Sequence, residues 1–341
     1  MIRTDFFPYE RKIIMKKILA VIICIAMLFT VVGCTEKEPA IDTTTVRLAT
    51  LKGPTGVGMV KMLTDDAAKE TPSYEVTLSS APDDIKAGIL SGSFDIAAIP
   101  TNLAAVLYNK AGADISVLAV NTLGVLYILE NGDSIKSIND LKGKKLYATG
   151  QASTPEYILN YILEKNGIDP KNDVEIEYMT EHAELTAQMA SGAASIGMLP
   201  EPNVTSAMIT GETGNMRIAL NLTEEWEKIA GGTTIMQGCV VVNNTFLKEH
   251  PQAVAQFMEQ YAASVEYVKA NVDEAAAMCE TLGVIPKAPL AKKAIPNCNL
   301  TFVTGTEMQE KLGAFLKVLF DADPSSVGGR LPEAGFYYTG K

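Results

Sequence analysis

The residues best suited to chemistry sit in short polar clusters, each at the end of an apolar, β-branched run. Lys52, Gly53, Pro54, Thr55 and Gly56 follow TTTVRLAT. Thr101 and Asn102 follow FDIAAIP, and Asn121 and Thr122 close ISVLAVN and its continuation. Gln151, Ser153 and Thr154 follow KKLYATG, Thr180 follows DVEIEYM, and Glu201 and Pro202 follow SIGMLP. Hydroxyls, amides and one amine suit holding a polar solute by hydrogen bonds. Helix starts among these clusters offer unpaired N–H groups and about half a positive charge each. Anions or carbonyl oxygens suit such ends, and Lys52 adds to that preference. Glu201 opposes it and suits an amine or an aminopyrimidine-like donor, so both solute classes stay open. The bland roles are a helix cap for Ser153 and Thr154, a solvent-facing Lys52, a tight turn for the glycines, and a lobe-to-lobe contact for Glu201.

Patterns for other chemistry do not match. GPTGVG has neither dinucleotide spacing nor the Lys-Ser or Lys-Thr of a phosphate loop, and neither GxSxG nor HExxH occurs. Glu181, His182 and Glu184 cluster at the start of an exposed helix and are not read as a metal site. His250 is the only other histidine. No cofactor is expected. Cys239, Cys279 and Cys298 form an odd set without a CxxC pair, against a disulfide framework or a zinc site. One Cys279–Cys298 bridge and three buried thiols are the alternatives.

The elements that must position these clusters come twice. SGSFDIAAIP at 91–100 and SGAASIGMLP at 191–200 share Ser, Gly, Ile and Pro in register. In the first copy, strand, helix, SYEVTLSS, APDDIKAGILSG, FDIAAIP, NLAAVLYNK and ISVLAVN alternate strand with helix. The second copy repeats that order with KKLYATG, QASTPEYILNYILEKNG, DVEIEYM, EHAELTAQMASG, SIGMLP, PNVTSAMITG and MRIALNL. Alternation of this kind predicts parallel-dominated sheets flanked by helices, with right-handed crossovers. Ligands of such sheets bind outside the strands' carboxyl ends, which is where the polar clusters fall. LGVLYILE and GCVVVNN read as two segments crossing between lobes. The expected α/β lobes are 45–121 plus 238–341, and 122–237 inserted between the crossings. From about Pro251 the chain reads as helical, with Val254, Phe257, Met258, Tyr261, Val265 and Val268 on one face, covering the first lobe.

The chain has 341 residues, 47% hydrophobic and 20% charged, ordinary for a globular protein of two lobes. Its start is not ordinary. KKILAVIICIAMLFTVVGC at 16–34 reads as a secretory signal, with Cys34 placed for lipid modification. Asp5 and Glu10 suit no signal, so Met15 is the better start. Residues 35–44 read as a polar tether. Residues 1–34 hold five basic and two acidic residues, leaving 24 basic against 38 acidic and a net charge of −14. Such a surface repels phosphate backbones, so nucleic acid is excluded as a partner. A monomer, extracytoplasmic and held at the membrane by lipid, is expected.

The signal with its VVGC, the two α/β lobes, LKGPTG after the first strand, and DSIKSINDLKGKKLYATG opening the second lobe resemble solute-binding lipoproteins of ABC importers. More narrowly, the chain is similar to the nitrate/sulfonate/taurine branch, which includes binders of thiamine-pyrimidine precursors. The resemblance covers about residues 45–340. DLKGKK at 140–145 is specific for the fold and poor for the substrate. The resemblance implies a two-lobed type II periplasmic-binding-protein fold that closes by hinge motion, and docking to a permease with its ATPase. A binder serving a sensor, or an enzyme resembling the thiamine-pyrimidine synthases, is the alternative. The latter carries a cysteine-rich run and a site histidine that this chain lacks.

Overall fold

The computed structural model describes residues 42–340. The signal segment, Cys34 and the tether up to residue 41 lie outside the described residues. Eleven strands follow in chain order. They are β1 (Val46–Leu51), β2 (Tyr74–Ser79), β3 (Ile96–Pro100), β4 (Ile115–Leu123), β5 (Leu126–Asn131), β6 (Lys145–Thr149), β7 (Glu175–Met179), β8 (Ile196–Pro200), β9 (Met216–Asn221), β10 (Met236–Asn243) and β11 (Leu300–Thr304).

They form two sheets. The first runs β11-β4-β10-β3-β1-β2 and the second β7-β6-β8-β5-β9. In each, the first strand of the repeat lies between the second and third and is parallel to both. The repeated decapeptides end in β3 and β8, and the two strands have the same job. Each takes a crossing strand, antiparallel, on its free side: β10 beside β3, and β5 beside β8. The closing prolines face the first turns of those crossings, Pro100 opposite Gly238 and Pro200 opposite Leu126. The shared Ser-Gly has a local cause. Gly92 and Gly192 end the preceding helices in the left-handed conformation, φ 71° and 79°, where a side chain is strained. β3 is buried along its first four residues and β8 along all five, as strands covered on both faces must be.

The carboxyl-terminal third differs from the all-helical expectation. The helices Pro251–Ala270, Val272–Leu282, Ala288–Ala294 and Gly305–Ala322 form, but LTFVT between the last two is β11. Five residues are too few for apolar spacing to separate strand from helix, and here the open edge of β4 supplies the partner. The helix Pro251–Ala270 buries Val254, Phe257, Tyr261, Val265 and Val268 against the first sheet. The helix Gly305–Ala322 also packs on that sheet but reaches the second lobe. Its Phe315 lies 5.5 Å, centroid to centroid, from Trp226, which sits 4.8 Å from Tyr161. The single tryptophan thus belongs to a fully buried joint between lobes. Cys239, Cys279 and Cys298 are buried free thiols. No helix among the described residues is long and apolar enough to cross a membrane.

Phe315→Ala removes a fully buried ring from this joint, and substitutions of this kind cost about 3–5 kcal/mol. The urea midpoint should fall accordingly, and Trp226 emission should change in the native state. An unchanged midpoint would mean that the joint carries no stability.

Candidate functional site

The carboxyl ends of both sheets face one another across the two crossings. On the first-lobe side, β1 runs into Lys52, whose N–H donates to Ser79 O at 2.9 Å, and then Gly53, whose N–H donates to Val284 O at 3.1 Å. Gly53 adopts φ 83°, which lets the chain leave the strand and start the short helix Pro54–Val57 at once. Gly56 has no room for more: a Cβ there would sit 2.7 Å from Leu51 O. Lys52 is exposed and makes no ion pair among the described residues.

The other first-lobe candidates are largely occupied. Thr101 is fully buried and its hydroxyl donates to Met236 O at 2.5 Å, tying the helix Thr101–Asn109 to the second crossing. Asn121 Nδ2 donates to Thr55 O at 3.2 Å and to the Tyr261 hydroxyl at 2.9 Å. Thr122 donates to Asn121 Oδ1 at 3.3 Å. A Cβ at Gly238 would lie 2.7 Å from that Oδ1, so glycine lets β10 pass the amide.

On the second-lobe side Gln151 and Thr180 are exposed, and Ser153 is half-buried and makes no side-chain cap. Thr154 is fully buried. Its N–H and hydroxyl both donate to Asn102 Oδ1 of the first lobe, at 3.1 and 2.7 Å. Pro202 approaches Gly53, with a Cβ on the latter 3.4 Å from Pro202 Cδ. The structure therefore sets Gly53 against Pro202, and Asn102 against Thr154, in two pairs from opposite lobes. Gln151 and Thr180 stand at the rim.

Glu201 is 1% exposed. Its carboxylate accepts from Thr205 N at 3.1 Å, from the Thr205 hydroxyl at 2.9 Å, and from Asn297 Nδ2 at 3.4 Å. Its own N–H donates to Val125 O at 3.0 Å, stitching β8 to the first crossing. Burial pushes the carboxyl above the usual range, outweighing the lowering bonds from Thr205 and Asn297. Beside it opens a groove of about 490 Å³, lined by Val204, Thr205, Met208, Ile209, Ile218, Lys293 and Asn297. His182 Nδ1 lies 2.7 Å from the Thr149 hydroxyl at the end of β6. Burial lowers its pKa against the opposing charge of Glu181, so the imidazole is neutral at pH 7. The cleft is thus built of hydrogen-bonding groups, and both its candidate bases, Glu201 and His182, are engaged with threonine hydroxyls.

The sequence reading missed Thr205, Asn297, Tyr261 and Gln237, whose Oε1 accepts from Val125 N at 3.2 Å. Thr205 carries a local signal, four residues past Glu201 on the first turn of the helix Asn203–Thr210. Asn297 and Tyr261 carry none, because only the returning tail brings them here.

The family profile described as the ABC-transporter, phosphonate, periplasmic substrate-binding protein matches residues 59–286. The chain belongs to this family. It is an extracytoplasmic solute-binding protein of an ABC importer, with a small-molecule ligand and a permease as partners. Among curated proteins no relative is found. Solved structures share the fold. An ABC transporter protein from Parabacteroides distasonis is 24% identical with a TM-score of 0.73, covering 87% of this chain and 100% of its own. The periplasmic aliphatic sulphonate binding protein SsuA from Escherichia coli is 16% identical with a TM-score of 0.67, covering 86% and 92%. The periplasmic nitrate-binding protein NrtA from Synechocystis PCC 6803 is 14% identical with a TM-score of 0.61, covering 85% of each. The family is one of substrate-binding proteins of transporters.

The binding protein's Glu201 makes a pH signature. Its folded pKa is raised, so the protonated form favours folding below about pH 4.5 and that contribution is lost as pH rises through the folded value. Glu201→Gln keeps an acceptor for Thr205 and removes the loss. Its melting temperature should exceed the wild type's at pH 7 and converge with it toward pH 4. A constant offset at all pH values would sink this account.

Proposed function

We propose that the protein captures a small oxyanion of the phosphonate or sulfonate class between its lobes and delivers it to the permease without chemical change. The observation that carries the solute class is the state of Glu201. The one carboxylate among the candidate contacts is buried and already bonded to Thr205 and Asn297, and burial raises its pKa. It therefore has little acceptor capacity left for an aminopyrimidine. Lys52 supplies an uncommitted cation on the opposite side of the cleft mouth. Among the other candidate hydroxyl and amide groups, Gln151 and Thr180 are exposed and Thr55 and Ser153 half-buried. The family description and the sulphonate- and nitrate-binding neighbours point the same way.

A solute that contacts both lobes shifts the population further toward the closed arrangement, since only differential affinity shifts a population. The test is a thermal-shift and calorimetric screen with methylphosphonate, 2-aminoethylphosphonate, taurine, methanesulfonate, nitrate and an aminopyrimidine. A solute at a hundred times its dissociation constant stabilises the fold by about 2.7 kcal/mol. Stabilisation by a phosphonate or sulfonate, weakened about tenfold by Lys52→Met and by added salt, is the expected result. Stabilisation by the aminopyrimidine alone would overturn the oxyanion reading.

We also propose that residues 1–33 are removed and that Cys34, then N-terminal, takes the lipid, so that residues 35–44 tether the folded body to the membrane. The VVGC sequence and the apolar run before it support this. Where the tether meets the body, His250 Nδ1 bonds Asp42 Oδ2 at 3.2 Å and the Thr44 hydroxyl at 3.1 Å, anchoring its end. Cys34→Ser should move the protein from the membrane to the soluble fraction and abolish labelling by radioactive palmitate. Retention at the membrane would reject the lipid.

A further inference from the structure

Asn102 stands out because its side chain is spent on the other lobe. Its Oδ1 accepts two bonds from one residue, the N–H and the hydroxyl of Thr154. Its Nδ2 donates to Ser326 O at 3.4 Å. The amide has only one workable orientation, since the flipped form would set its NH₂ against two donors and its oxygen against a carbonyl. Both residues are cut off from water, Asn102 at 3% exposure and Thr154 at none. A bond broken there without a replacement leaves buried donors unpaired, the costly case.

The helix Thr154–Lys165 makes the contact more telling. Its N-cap residue, Ser153, makes no side-chain cap, and position two is Pro155, which has no N–H. The Thr154 N–H is an orphan donor of that helix, and its acceptor comes from a residue 52 positions earlier on the facing lobe. Asn102 stands at the second residue of the helix Thr101–Asn109, directly after β3. Thr154 stands at the first residue of its helix, after β6. The bond therefore joins the carboxyl ends of the two sheets and breaks when the lobes separate.

We propose that Asn102 is a positioning residue for capture: it caps the second lobe's helix from the first lobe, weights the closed arrangement, and so sets the apparent solute affinity. This deepens the capture reading given above, and it concerns closure rather than contact with solute. Affinity for a two-state binder scales with the fraction in the competent state. Weakening the cap lowers that fraction and raises the dissociation constant of any solute by the same factor, whatever its chemistry.

The test reads closure in the full-length protein, with no solute added, by hydrogen exchange and by emission of Trp226. Asn102→Leu keeps the bulk and removes the acceptor. It should raise exchange about tenfold in peptides on both cleft faces, around residues 100–105 and 150–158. The helix Pro251–Ala270 should keep its protection. Trp226, packed between Tyr161 and Phe315, should shift its emission in the same variant. Asn102→Asp retains the acceptor and adds charge suited to a helix start, so it should restore wild-type exchange. Loosening confined to residues 101–104, or an Asp variant as open as the Leu variant, would overturn the proposal. Should Asn102→Leu fail to fold, Thr154→Val deletes the shorter bond and must loosen both faces; exchange raised on one face only would overturn it as well. Because no solute enters, failure here leaves the oxyanion screen to decide the capture reading separately.

Discussion

Everything in the cleft depends on how the chain crosses between lobes. β4 and β10 pair side by side up to Leu123 and Met236, where both segments leave the first sheet. Gln237 then bonds Val125 across the gap between them. Each repeat is fastened to this pair at its third strand: β3 through Pro100 opposite Gly238, and β8 through the Glu201 N–H on Val125 O. Two sheets so joined must present the same ends to each other. The polar clusters after β1, β3, β6 and β8 then share one cleft, although Lys52 and Glu201 are 149 positions apart in the chain.

This geometry favours binding over catalysis for a physical reason. A reacting group needs a free lone pair or a labile proton held close to the substrate. Here Thr101, Asn102, Asn121, Thr154 and Glu201 spend their polar atoms on one another and on the backbone. They fix the shape of the two walls. What remains available is at the rim: Lys52, Thr55, Gln151, Ser153 and Thr180. A rigid frame with an accessible polar rim suits reversible capture, where contacts must be many and individually modest.

Much of the fold was legible because its signals are local. The Ser-Gly helix ends, Pro82 and Pro155 in first turns, and the buried runs of β3 and β8 appear where pattern and composition put them. β11 was not legible, since the five residues LTFVT are too short a run to be told from helix and acquire strand character only beside the edge of β4. The helix Gly305–Ala322 was legible as a helix but not as a bridge, because Phe315 finds Trp226 only once both lobes are assembled. For the cleft, strand ends identified the neighbourhood of Asn102, Thr154 and Glu201. They did not reveal that Asn102 and Thr154 bond each other, or that Glu201 is satisfied by Thr205 and Asn297.

By itself, then, the sequence determined a duplicated strand-and-helix order, a net acidic composition and an apolar run ending in Gly-Cys. Each follows from residue type and short-range spacing, which act within a turn or a strand. Tertiary structure alone decided which polar groups are bonded within the protein and which are left exposed. That choice depends on distances between residues tens to hundreds apart in the chain, such as Asn102 to Thr154 and Glu201 to Asn297. A hydrogen bond weakens steeply beyond about 3.2 Å, so a shift of one ångström between lobes reassigns a side chain from ligand contact to structural cap. No local pattern in the chain encodes that distance.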